Sequence, residues 1–167
     1  MRARRSLLLR ARGALVVSIL ALSGCASTPQ ASRERDAEAK EFNARPDATT
    51  IYVYRDDFAA EELSSQSPVL YVDGRLIGAT LPGTFFRFTV RAGEHLLHGY
   101  GYDQGTLTLD TRSGEIYFVS LQATGGNSHF STVAPDTGKQ DILRCCSLLE
   151  NWAPGQRPFL LRDVIGP

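Results

Sequence analysis

The sequence Val69-Leu-Tyr-Val-Asp-Gly-Arg-Leu-Ile-Gly78 predicts a β-hairpin and, with it, the class of the fold. Its first four residues are β-branched, aromatic or aliphatic, a composition that favours a strand. Asp73-Gly74 supplies a two-residue turn, because both residues can adopt the positive φ that such a turn requires. The four residues that follow are therefore expected to return antiparallel to the first four.

Similar strand patterns lie on both sides of this hairpin. Residues 84–91 alternate, so that Phe86, Phe88 and Val90 share one face. Residues 51–54, Ile-Tyr-Val-Tyr, are apolar or aromatic on both faces, which is typical of a central strand. Further strands are predicted within residues 94–102, 106–110, 115–122 and 129–133. Seven to eight short strands predict a mainly β fold, either an antiparallel β-sandwich or a partly closed barrel.

One segment near the C-terminus has a helical rather than a strand period. Ile142, Cys145, Cys146 and Leu149 follow the spacing i, i+3, i+4, i+7, and Asp141 is a suitable N-cap residue. We therefore predict one C-terminal helix over about residues 140–150 that lies on the sheet, within a domain of residues 49–151. Residues 152–167 contain three prolines and are expected to form an extended tail.

The N-terminal segment has the pattern of a signal peptide. An arginine-rich start precedes the apolar residues 14–22, a run shorter than the ~20 residues that cross a bilayer. Leu22-Ser-Gly-Cys25 then resembles the lipobox of bacterial lipoproteins. The resemblance implies cleavage between Gly24 and Cys25, a diacylglycerol on the Cys25 thiol and an acylated amino terminus. Ala26, where an aspartate would favour the inner membrane, implies the outer membrane facing the periplasm. An ordinary secretory signal, 1–24, is the alternative.

The region that follows the lipobox is polar. Residues 25–48 are rich in Ala, Ser, Glu and Arg, and a helix over residues 32–42 would have almost no apolar face. We predict a flexible tether that holds the domain away from the membrane.

The charge of the chain excludes one class of partner. The sequence has 18 Lys and Arg and 18 Asp and Glu, but five of the arginines and none of the acids lie in the first 24 positions, so the mature chain carries a net charge of −5. Nucleic-acid binding needs clustered basic residues. No nucleic-acid partner is therefore predicted, and the membrane is expected to be reached through lipid.

Five segments together resemble a known family in their order and spacing. They are Ile51-Tyr-Val-Tyr-Arg55, Val69 to Asp73-Gly74 with Ile77-Gly78, Gly83-Thr-Phe-Phe86, Ala92-Gly93-Glu-His95, and residues 141–149 with a cysteine. They are similar to the domain of unknown function 2846 of bacterial envelope lipoproteins, over roughly residues 50–150. The rhythm is also similar to small β-sandwich binding repeats named after a Pro-Glu-Gly-Ala motif. Neither resemblance implies a catalytic residue. Ala92 in place of a proline and the second cysteine depart from the family pattern.

The histidines and cysteines are the candidates for chemistry. His95 and His98 would point to opposite faces of a strand, so they and His129 favour structural or surface roles over a metal site. Cys145 and Cys146 favour two buried thiols, with a vicinal disulfide, a redox pair or a link to a partner as alternatives. No cofactor is predicted.

An aromatic strip is the candidate for binding. Gly99 and Gly101 alternate with His98, Tyr100 and Tyr102, so one strand face would be flat and the other aromatic. Packing is the simpler role for these rings, and a glycan platform on Tyr100 and Tyr102 is the functional alternative. The sequence as a whole predicts a lipid-anchored, non-enzymatic envelope protein that binds an envelope protein or a glycan. A metal-dependent hydrolase or a thiol-redox enzyme of the periplasm is the alternative.

Overall fold

The computed structural model describes residues 28–56, 68–99, 105–124 and 127–152, and within these ranges the chain forms nine strands and two helices. The strands are β1 (Thr49–Arg55), β2 (Val69–Val72), β3 (Arg75–Ala79), β4 (Thr84–Val90), β5 (Gly93–His98), β6 (Thr106–Thr111), β7 (Ile116–Thr124), β8 (Asn127–Val133) and β9 (Ser147–Leu148). The helices are α1 (Arg33–Ala39) and α2 (Pro135–Cys145). Neither of these two helices is long and apolar enough to cross a bilayer.

The strands form two sheets that pack as a sandwich, as predicted. One sheet has five strands in the order β8-β7-β1-β4-β9, and the other has four in the order β3-β2-β5-β6. The five-stranded sheet is mixed rather than antiparallel, because β1 pairs with β7 and β4 pairs with β9 in parallel. Only strands joined by a tight turn must be antiparallel. Both parallel pairs join strands that are separated by several other elements.

The central strand and the hairpin follow the sequence patterns. All seven residues of β1 are buried, and β1 lies between β4 and β7. Asp73 and Gly74 have φ values of 50° and 72°, the conformation that joins β2 to β3 in a two-residue turn.

Each face of the five-stranded sheet has its own apolar core. Ile51 and Val53 face the four-stranded sheet and pack against residues such as Leu70 and Leu97. Tyr52 and Tyr54 face the helices, where Phe85, Phe118 and Ile142 complete a second core. The alternation of β1 therefore serves two cores at once, which is why both of its faces are apolar.

The C-terminal helix lies earlier in the chain than the predicted range 140–150. It begins at Pro135, which is well placed at a helix start because its missing N–H would have no partner there. Asp141 is not its N-cap: the side chain accepts a hydrogen bond from the Tyr54 hydroxyl at 2.7 Å. Burial, followed by this carboxylate, raises the pKa of Tyr54. The helix ends at Cys145 because residues 147–148 pair with β4 as β9.

The prediction of a flexible tether is wrong from Thr28 onward. Ser32 caps α1 by accepting from the Arg35 amide, and Asp36 accepts a hydrogen bond from the Leu148 amide at 2.7 Å. The Tyr52 hydroxyl donates to the Ala39 carbonyl at 2.7 Å. The helix has few apolar residues, but it docks because its polar groups bind the strands beneath it.

Candidate functional site

A groove opens between the two sheets on one side of the sandwich. It encloses about 540 Å³ between β4 of one sheet and the β2–β3 hairpin of the other. Both apolar and polar residues line it. The apolar residues are Val72, Ile77, Phe88 and Val90, and the rim includes Asp73, Arg75 and Asn151.

One rim of the groove is an unpaired strand edge. The Gly83 and Phe85 carbonyls accept hydrogen bonds from the Ser147 and Leu149 amides at 3.0 and 2.8 Å. Backbone groups of alternate residues in a strand point to the same side. Arg87 and Thr89 therefore direct their N–H and C=O groups toward the side of β4 on which β9 pairs with residues 84–85. Within the described ranges, no strand pairs with this part of β4.

The segment after β9 closes one end of the groove. The Glu150 amide donates to the Pro29 carbonyl, and the Trp152 amide donates to the Ile77 carbonyl, both at 2.8 Å. The chain thus leaves β4 and crosses to β3, with Asn151 at the groove rim. The groove stays open beside residues 87–90.

The two arginines beside the groove differ in their partners. Arg87 donates two hydrogen bonds of 2.8 Å to the Glu38 carboxylate, which holds the pKa of Glu38 below its usual value. Arg75 is exposed and forms no ion pair with any residue in the described part of the chain. Arg75 is therefore the cation that is free to meet an acidic ligand at this rim.

A buried histidine braces the turn that borders the groove. The Asp73 carboxylate lies 2.7 Å from His95 Nδ1, and it also accepts from the Leu96 amide at 2.9 Å. His95 Nε2 lies 2.8 Å from the Arg91 carbonyl, which can only accept. Both ring nitrogens therefore face acceptors, an arrangement that favours the protonated imidazole. Burial opposes the charge, but Asp73 and the Arg91 carbonyl outweigh it and raise the pKa of His95.

The stability of the protein is expected to depend on this pair. Burial raises the pKa of Asp73, but the hydrogen bonds from His95 and Leu96 outweigh it and lower the pKa overall. The contribution of His95 is complete below about pH 6.5 and is lost as pH rises through its raised pKa; that of Asp73 is present above about pH 4 and is lost at lower pH. Since the Asp73 side chain is 46% exposed, the pair is worth less than about 1 kcal/mol.

Urea titrations between pH 5 and pH 8 measure this contribution. Stability should decrease as pH rises above about 6.5, and Asp73→Asn, which keeps a residue that tolerates positive φ, should lose this part of the slope. His129→Gln is the matched control, since the exposed His129 does not touch the pair. If stability depends on pH in the same way in Asp73→Asn and in the wild type, the contact with Asp73 does not raise the pKa of His95.

The three histidines have separate environments. His98 stacks on Tyr71 with ring centroids 4.9 Å apart, and its Nδ1 lies 2.6 Å from the Gly99 carbonyl. His129 is exposed on β8, opposite Gln122. Among the described residues, no group of three or more His, Cys, Asp or Glu side chains could hold a metal ion.

The two cysteines form a disulfide, so the favoured interpretation as two buried thiols is wrong. Bonding neighbours inside a helix would distort the peptide, but α2 ends at Cys145, and Cys146 is extended with φ −122° and ψ 144°. Cys146 is buried, and Cys145 is half-buried. The bond thus lies at the junction between α2 and β9.

A thiol count tests this bond directly. A chain that begins at Thr28 contains only Cys145 and Cys146 as cysteines. When it is purified from an oxidising compartment and unfolded, it should show no free thiol, and after reduction it should show two. Two thiols before reduction would contradict the disulfide.

Four other residues singled out in the sequence lie outside the described residues. These are Gly24 and Cys25 of the lipobox, and Tyr100 and Tyr102 of the aromatic strip.

Comparison with known proteins adds a family to this geometry. A family model described as "Protein of unknown function (DUF2846)" matches residues 45–135, more than half of the chain. The chain belongs to the DUF2846 family. An "Uncharacterized protein" of Haemophilus influenzae is 32% identical over 138 residues, which cover 79% of this chain and 80% of the relative. No solved structure matches the chain.

The DUF2846 match divides the site. It contains β1 to β8, and therefore the Asp73–His95 pair and the open edge of β4. It ends at Pro135, so Asn151 and the disulfide lie beyond it. A sheet edge is a possible binding surface for such a fold, but the sequence does not locate this edge or the groove, because no local pattern records where β9 ends. For the Asp73–His95 pair, the sequence contains one signal: a turn residue and a histidine on a neighbouring strand.

Proposed function

We propose that this DUF2846 protein is a lipid-anchored, non-enzymatic protein of the bacterial cell envelope whose groove binds an extended segment of an envelope protein. The open edge of β4 carries this proposal. Unpaired N–H and C=O groups of an edge strand are a template for another strand, and peptides bind in this way in several domain families.

The groove beside the edge supports an extended polypeptide rather than a glycan. A strand added to β4 would place alternate side chains toward the apolar wall formed by Phe88 and Val90. A volume of about 540 Å³ lies in the range of ligand sites. Arg75 at the rim would favour a segment with an acidic residue.

The location in the envelope rests on the lipobox. Leu22-Ser-Gly-Cys25 places a cysteine at the position where lipidation occurs, and several acyl chains anchor far more firmly than one. We propose that the anchor lies in the outer membrane and that the domain faces the periplasm.

The enzymatic alternatives find no support in the described residues. His95 is engaged at both nitrogens, and His129 is exposed elsewhere. Cys146 is buried, and its Sγ lies 3.7 Å from the Arg55 carbonyl.

Photo-crosslinking in cells tests the binding function. With a photoreactive amino acid at position 75, a discrete cross-linked protein should form, whereas the same group at Asp110, on the exposed side of β6, should give none. Thr89→Pro removes the outward N–H and should weaken binding about tenfold, since one net hydrogen bond is worth about 1 kcal/mol and the proline ring adds a clash.

Thr89→Ala is the matched variant, because it alters the side chain and keeps the N–H. Thr89 is exposed, so neither change disturbs the core. Equal cross-linking in the proline and alanine variants would contradict binding at this edge.

Cys25→Ala should move the protein to the soluble fraction, and a variant that stays in the membrane would contradict the lipid anchor.

A further inference from the structure

The chain is fixed to the domain from its first described residue. The Thr28 hydroxyl donates to the Ala79 carbonyl at 2.7 Å, and Thr28 is only 5% exposed. Gln30 forms a bridge with Leu149, and the Ala31 amide donates to the Leu148 carbonyl at 2.9 Å. The N-terminal segment thus lies beside β9 and is fixed there by hydrogen bonds.

Very little chain separates this fixed point from the lipidation site. Only Ala26 and Ser27 lie between Cys25 and Thr28. Three residue steps of fully extended chain span at most about 11 Å. A lipid on Cys25 therefore cannot leave the domain far from the bilayer, whatever conformation these residues take.

The strand directions define which end of the sandwich is near that point. β3 ends at Ala79, and β4 begins at Thr84 after a short turn. The Gly83 amide donates to the Arg55 carbonyl at 2.9 Å, so β1 also ends here. We call this the anchored end. The free end holds the Asp73-Gly74 turn and the turn that leads into β7 at Ile116, opposite Thr50.

We infer that the anchored end of the sandwich faces the lipid headgroups directly and that the free end points into the periplasm. The inference rests on the proposed lipidation of Cys25. The turn of residues 79–84, Ala-Thr-Leu-Pro-Gly-Thr, carries no charge and exposes Pro82, so it meets headgroups of either sign without repulsion. The open part of the groove runs from Ile77 toward Asp73, away from the bilayer and toward soluble partners.

Energy transfer to the membrane surface tests this orientation. The lipidated full-length protein is reconstituted in phosphatidylethanolamine–phosphatidylglycerol vesicles that carry an acceptor lipid. A donor fluorophore is placed at Pro82→Cys or at Ser113→Cys, both exposed, at the anchored and free ends. Seven residues of β1 separate the ends by about 23 Å. Transfer from position 82 should exceed transfer from position 113 several-fold.

Two further measurements distinguish a wrong orientation from a missing lipid anchor. Insertion of ten Gly and Ser residues between Ser27 and Thr28, which span about 18 Å, should bring the two efficiencies together. Equal efficiencies in the lipidated protein without the insertion would overturn the orientation and leave the lipid anchor intact. A mass spectrum without lipid on Cys25, with no flotation of the protein with vesicles, would overturn the anchor and the orientation together.

Discussion

Gly138→Ala is expected to destabilise the protein by about 2–3 kcal/mol, although alanine is the better helix former. Gly138 is the fourth residue of α2 and is buried against Phe118 of β7. A Cβ at this position would lie 2.4 Å from Cγ and 2.5 Å from Cβ of Phe118, far inside van der Waals contact. The helix preference of alanine returns only about 1 kcal/mol, whereas overpacking of a core costs about 1–3 kcal/mol or more.

Aromatic rings pack against Phe118 and limit its movement. Its ring stacks on Tyr52 with centroids 5.1 Å apart, and Phe42 lies edge-on at 5.7 Å. The clash is with the root of the side chain, so a change of rotamer does not relieve it. Relief therefore requires α2 to move away from the sheet, which breaks contacts of Ile142 in the same core.

Urea denaturation of three variants measures this effect. Thr137→Ala, at the exposed neighbouring position of α2, should leave stability unchanged or raise it slightly. Phe118→Ala alone should cost about 3–5 kcal/mol, and the double variant should cost less than the sum of the two single variants, since the clash is then absent. A Gly138→Ala protein as stable as the wild type would show that α2 does not pack this closely.

Local patterns were sufficient to predict β1 to β8 and the β2–β3 hairpin, but not the long-range pairing of the strands. The alternation of residues 84–91 and the Asp73-Gly74 turn depend on residues close in sequence, and both predictions are confirmed. The parallel pairing of β1 with β7 joins segments more than 60 positions apart, and hydropathy alone does not select it.

The errors at both helices have the same physical cause. Cys146 and Leu149 are buried, as the helical spacing predicts, but they lie in an extended segment that includes β9 and pairs with β4. Pro135 offered the better signal for the helix start. The small apolar face of α1 predicts a tether, whereas in the structure hydrogen bonds with Leu148 and Tyr52 hold this helix in place. The groove exists because β9 is short, a property set by these long-range bonds.

Removal of residues 28–42 is expected to cost at least about 4 kcal/mol of folding free energy. The loss would expose the helix-facing sides of Tyr52, Phe85 and Phe118, and full burial of one such side chain is worth about 1.5–3 kcal/mol. It would also leave the Leu148 amide and the Tyr52 hydroxyl without their partners. With a typical total stability of about 5–15 kcal/mol, a chain that begins at Asn43 would be partly unfolded at 37 °C.

Comparison of the chain that begins at Thr28 with the chain that begins at Asn43, by thermal unfolding, measures this loss. A flexible tether would give the same Tm for both chains. Phe42→Ala keeps the test informative if the shorter chain does not fold. Phe42 has a φ of 51°, a conformation that costs a bulky residue about 1–2 kcal/mol and is maintained here by its contacts with Tyr52 and Phe118.

The alanine at position 42 would retain this strain and lose the ring contacts, so Phe42→Ala should lower stability by about 2 kcal/mol. Asn43→Ala, at the exposed neighbouring position, should change it by less than about 0.5 kcal/mol. If both variants have the Tm of the wild type, the segment does not dock. The short distance between domain and membrane, and the orientation inferred from Thr28, are then unsupported. If Phe42→Ala is destabilised and Asn43→Ala is not, the segment is docked on the domain. A lipid on a residue three positions before Thr28 then limits how far β3, and the groove beside it, can lie from the membrane.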